Sequence, residues 1–151
     1  MNLTAHFTLS ECIKSDTAER LGIDNTPDQN EIDNLKATLE AIAEPVRKHF
    51  NRRVFIRSGF RCLALNRAIG SKDNSQHVKG EAIDLEVDGI SNNAVAEWIR
   101  DNLEFDQCIR EFAVPGDPSS GWIHVSYTSD RACRRQCLTV NRQGTFEGFL
   151  S

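Results

Sequence analysis

Apolar residues recur at three- and four-residue steps through Ile32, Leu35, Leu39, Ile42, Ala43 and Val46, the pattern of a helix with one buried face. Thr26-Pro27-Asp28 supplies its start, with Thr26 as N-cap, Pro27 in the first turn and Asp28 facing the positive end of the helix dipole. Pro45 predicts a bend or a loosening near its end. After residue 50 the period shortens. Val54-Phe55-Ile56, closed by Ser58-Gly59, predicts a buried strand, and residues 62–69 a short helix stopped at Gly70. Residues 71–76 are polar and loop-like. Residues 82–87 alternate as a strand does and turn at Asp88-Gly89; Ser91 then caps a helix carrying Val95, Trp98, Ile99 and Leu103. Strands are predicted at about 106–112 and 122–127, and another at 137–140. Helices first, then strands with one helix between them, predict an α+β fold, with N-terminal helices packed on a small, mainly antiparallel sheet.

The length of 151 residues suits one domain spanning the chain. A net charge of -4 argues against nucleic acid as a partner, and no apolar run is long enough for membrane insertion. The first residues show no basic segment followed by an apolar one, so the expectation is a chain that is cytoplasmic at synthesis, and a monomer. The cysteines, Cys12, Cys62, Cys108, Cys133 and Cys137, are odd in number and irregular in spacing, and are read as reduced thiols. The basic cluster Arg131, Arg134 and Arg135 reads as a solvated edge. His6 and His49 have no ligand pattern around them and read as surface residues.

Chemistry concentrates in Ser75-Gln-His77-Val-Lys-Gly80-Glu-Ala-Ile-Asp84 and in Trp122-Ile-His124-Val. A zinc hydrolase needs three protein ligands from imidazole and carboxylate and leaves a fourth position for water. His77, Asp84 and His124 have that composition, and Gly80 permits the tight turn that lets the first two converge. Taken singly, each of the three reads more readily as a structural residue than as a ligand. Together the segments resemble the S-x-H-x-x-G-x-A-x-D and second-histidine motifs of the zinc D-alanyl-D-alanine peptidases, which include phage endolysins and share their fold with the hedgehog domain. Ser58-Gly59-Phe60-Arg61 is similar to that family's S-G-Y/F-R element, and Phe7-Thr-Leu-Ser-Glu and Asn25-Thr-Pro27 to its phage and bacterial branch. The likeness weakens after about residue 128.

The resemblance implies one Zn2+ per chain held by His77, Asp84 and His124, with Arg61 binding or polarising the substrate. In one respect the sequence departs from the family: many relatives carry Glu or Asp three residues before the last histidine, where this chain has Gly121. Glu111 is the candidate general base, because a strand at 109–112 paired antiparallel with 122–125 brings it beside His124; Asp117, in the loop leading to His124, is the second choice. Ser75 and Gln76 are candidate donors at the rim and Trp122 a candidate cleft wall, although Ser75 fits a plain turn and Trp122 a core position as well. The resemblance therefore implies a peptidase for peptidoglycan stem peptides or cross-links, a phage or prophage lytic enzyme reaching the cell wall after holin-type release or as part of a virion. The rival expectation, kept open by Gly121, is a zinc-stabilised binding module without catalysis.

Overall fold

The computed structural model describes residues 1–150. Two short helices open the chain, α1 (Leu9–Ile13) and α2 (Asp16–Leu21). The first is started by a reciprocal pair: the Thr8 hydroxyl accepts from the Glu11 amide while the Glu11 carboxylate accepts from the Thr8 amide. The long helix begins two residues later than the sequence predicts. Its N-cap is Asp28, not Thr26, because Asp28 and Glu31 satisfy each other's free amides; Thr26 instead bonds Asp24. It runs as α3 (Gln29–Thr38), a π-helical turn (Leu39–Ala43) and α4 (Glu44–Phe50). Pro45 has no amide hydrogen to donate, and the widened turn lies just before it, which is the loosening expected there.

The sheet has the order β1-β2-β4-β3-β5-β6, from β1 (Val54–Ser58), β2 (Ala82–Val87), β3 (Gln107–Glu111), β4 (Trp122–Ser126), β5 (Gln136–Asn141) and β6 (Gly144–Glu147). All neighbours are antiparallel except β3 and β5. Strand β1 is an edge rather than a buried strand, with Val54 buried and Phe55 and Arg57 exposed. Short α5 (Leu63–Ala68) follows β1, and α6 (Asn92–Asn102), capped by Ser91, follows β2.

Alternation along the strands divides the sheet. Ile83, Leu85 and Val87 of β2, Cys108 of β3 and Ile123 and Val125 of β4 join Leu35, Leu39, Ile42 and Ile99 of the helices in the core. Removing that apolar surface from water is the main stabilising contribution. The alternate positions, Asp84, His124, Glu111 and Ile109, point to the other face, which the 59–80 segment partly covers.

The basic cluster is not a solvated edge. Arg131 and Arg134 form five hydrogen bonds to the fully buried Asp106 carboxylate, at 2.7–3.0 Å, and hold the chain beyond β4 against β3. Arg135 donates to the carbonyls of Leu103 and Arg100. Charge-assisted contacts of this kind press the Asp106 pKa well below the ordinary carboxylate range, the Arg131 bonds most strongly. Its stabilising contribution is therefore full above the unfolded-state value near 3.9 and is lost as pH falls toward the depressed folded value. Asp106→Asn should lower stability by about 2 kcal/mol in urea unfolding at pH 7, the half-exposed arginines regaining water on losing their partner. A variant as stable as the parent would show the clamp to be incidental.

Candidate active site

Each residue of the site arrives on a different device. Asp84 and His124 lie directly opposite each other on β2 and β4, so strand pairing alone sets their separation. His77 comes from a 3₁₀ turn (Gln76–Lys79) that ends at Gly80 with φ +77. A side chain at Gly80 would meet the Glu31 carbonyl at 2.5 Å, so this glycine is needed both for the turn and for the close approach of α3. Ser75 begins that turn by accepting from the His77 amide at 3.3 Å, and with Gln76 it lines the cleft.

His77 is buried, and its Nδ1 donates to the Gly59 carbonyl at 2.6 Å. That bond leaves the Nε2 lone pair directed at Asp84 Oδ1, 3.2 Å away, while His124 Nδ1 lies 3.1 Å from the same oxygen. One ligand atom from each residue lies within 4.8 Å of the other two. Burial lowers the His77 pKa, and the ionised Asp84 opposes that shift without reversing it. The two histidines in turn hold Asp84 well below the ordinary carboxylate range although burial alone would raise it. A neutral His77 whose proton serves Gly59 presents lone pair to lone pair against Asp84, an arrangement that a cation between them relieves. Tetrahedral ligands on bonds of about 2.05 Å stand roughly 3.3 Å apart, close to the 3.2 and 3.1 Å that separate Asp84 Oδ1 from the two imidazoles. The donor set thus fits a divalent metal, with the Gly59 carbonyl fixing the tautomer of the first histidine.

A cleft of about 760 Å³ opens over this group. Arg61, Glu111 and Trp122 line it, as do Gln107, Phe112 and Lys72, which the sequence had not singled out. Glu111 faces Trp122 across β3 and β4 and so sits diagonally from His124, on the parity expected. Burial raises its pKa above the ordinary glutamate value; His124 and Arg61 pull it down and Asp84 pushes it up. Asp117 is excluded from the cleft and caps its own loop at the Ser119 amide.

The departure at position 121 has a steric reason. Gly121 has φ +63, and a Cβ there would lie 1.8 Å from the Glu111 carbonyl oxygen and 2.9 Å from Phe112. Phe112 itself has φ +53, rare for a bulky residue. The two strands pinch together just beyond the Glu111–Trp122 pair, so a carboxylate borne on residue 121 is incompatible with this backbone.

Arg61 is half-buried, and its Nε has no hydrogen-bond partner among the described residues. Desolvation lowers its pKa, and Asp84 and Glu111 raise it, which puts the guanidinium within the field of both carboxylates. Its backbone is pinned from two sides. The Arg61 amide donates to the His77 carbonyl, and Asn25 bonds the Phe60 carbonyl and the Cys62 amide on either side. The sequence marked Asn25 only by likeness; its reach across 37 residues is not visible in local pattern. Trp122 also lines the cleft, its ring 5.0 Å from that of Phe112 and 5.0 Å beneath the Arg57 guanidinium.

A family model described as Peptidase M15 matches residues 5–126, from just before α1 to the end of β4. The matched region contains His77, Asp84, His124, Arg61 and Glu111. No curated protein matches the chain significantly.

Proposed function

Because the chain belongs to the peptidase M15 family, we propose that it is a zinc peptidase that hydrolyses peptide bonds of bacterial peptidoglycan stem peptides or their cross-links. The observation that carries the reading is the convergence of His77 Nε2, Asp84 Oδ1 and His124 Nδ1 at the floor of a cleft that also contains Glu111 and Arg61. His77, Asp84 and His124 would hold the metal. When bound, zinc supplies Lewis acidity toward the scissile carbonyl and makes water a nucleophile near neutral pH.

The remaining work falls to the chain's own side chains. Glu111 accepts the proton of the attacking water and returns it to the leaving amine, so that one water adds across the bond and the carboxylate is regenerated. Arg61 lines the cleft with unused donor capacity and steadies the negative charge that develops on the carbonyl oxygen. Trp122, Ser75 and Gln76 bound the space the substrate fills. The choice of peptidoglycan, and action at the cell wall as a phage or prophage lysin, are supported by the sequence's resemblance to the endolysin branch.

The test is digestion of purified peptidoglycan by as-isolated, chelator-treated and zinc-restored protein, with mass spectrometry of the released fragments. Cleavage lost on chelation and regained with zinc is the expected result, and the fragments name the bond. Bound zinc without any cleavage would replace the peptidase by a binding module.

A further inference from the structure

Behind Arg61 lies a second cavity of about 430 Å³, and Arg61 and Ile69 line both it and the main cleft. Its charged lining consists of Lys14 from the turn between α1 and α2, Arg57 of β1, Arg61, and a single carboxylate, the exposed Asp16. Three cations against one anion make it a basic recess on a chain whose net charge is -4. The cations retain donor capacity. Lys14 is exposed and enters no ion pair among the described residues. Arg57 gives only Nη1 to Glu86, at 3.0 Å, and its guanidinium lies over the Trp122 ring, so it links the cleft wall to the recess. Arg57 is exposed and reaches from the edge strand β1 across the face of the sheet toward β2 and β4.

Stem peptides differ from ordinary peptides in bearing carboxylates that are not part of the main chain of amide bonds, such as the α-carboxylate of γ-linked glutamate and the second carboxylate of diaminopimelate. Resting on the peptidase reading, we propose that the recess is an anion subsite in which Arg57 and Lys14 bind such a carboxylate, remote from the scissile bond, while Arg61 works at the bond itself. A guanidinium fork and an exposed ammonium lining one recess suit a carboxylate that must be recognised without being consumed. The subsite makes the enzyme select stem peptides over neutral peptides of the same length.

The experiment uses the zinc-loaded full chain and three synthetic peptides: L-Ala-γ-D-Glu-diaminopimelate-D-Ala, the same peptide amidated at the glutamate α-carboxyl, and the same amidated at the second diaminopimelate carboxyl. Affinity is measured by calorimetry and turnover separately. One of the amides should bind about tenfold more weakly than the free acid, identifying which carboxylate is held. In Arg57→Gln and in Lys14→Gln the acid and that amide should bind with affinities equal within about twofold. Equal binding of all three peptides to the parent, no binding of any, or a preference that survives both substitutions would overturn the subsite. Hydrolysis without charge preference would leave the peptidase reading standing alone, and charge preference without hydrolysis would do the reverse.

Discussion

Glu111→Gln is expected to lower kcat on peptidoglycan fragments about 10³-fold, with zinc content and thermal stability close to those of the parent. Glutamine keeps the size and the polar contacts of the side chain but cannot take a proton from water, so the loss isolates proton transfer from binding, and KM should move by no more than a few-fold. The pH profile supplies the sign. Glu111 works as the carboxylate, so parent activity is present above its pKa and falls as pH drops through it; burial shifts that limb upward from the ordinary glutamate range, against the pull of His124 and Arg61. The variant should lack the limb. A carboxylate at position 121 cannot take over, because residue 121 would need its Cβ inside the Glu111 carbonyl. Parental kcat in Glu111→Gln would remove Glu111 as the base and leave the cleft without one.

The structure shows which of these arguments a sequence can carry. Strand β2 has the bounds its alternation predicts, and the same period of two places Asp84, His124 and Glu111 on one face of the sheet. What local pattern could not carry is competition between neighbours and contact across distance. Thr26 and Asp28 are both good caps, and the choice falls to Asp28 because only it has Glu31 three residues on. The apolar run Val54-Phe55-Ile56 suggests burial on both sides, but the order of strands puts β1 at the edge and Phe55 in solvent. Arg131 and Arg134 read as solvated because their partner, Asp106, lies 25 and 28 residues away and nothing in the local pattern marks it as buried. Likewise, the spacing of His77 and Asp84 points to a shared ligand sphere, but only the fold shows the Gly59 carbonyl that assigns the histidine proton. Gly121 reads in the sequence as a missing base and in the structure as a close approach to the backbone of Glu111 and Phe112.

Substituting His77 should have the largest effect of all. In His77→Ala, zinc retained after gel filtration should fall from one per chain to below about 0.1, and hydrolysis should drop beneath detection, because two remaining ligands rarely hold zinc against dilution. A stability readout separates metal loss from misfolding. The variant loses the Nδ1 bond to Gly59 and leaves that carbonyl unpaired in the interior, a destabilisation of about 1–3 kcal/mol that the core of α3, α4, α6 and the sheet can absorb. Parent and variant should both unfold cooperatively in chelator, but added zinc should raise the melting temperature of the parent alone, by the mass-action gain of a ligand that binds only the folded state. The electrostatics reinforce the contrast. Asp84 in the variant keeps the His124 hydrogen bond and the field of Arg61 but loses its His77 partner, and a metal would have to be held by one imidazole and one carboxylate. Zinc retained at one per chain, with a melting temperature that still responds to it, would mean that the metal binds elsewhere and that the His77, Asp84, His124 triangle serves the fold.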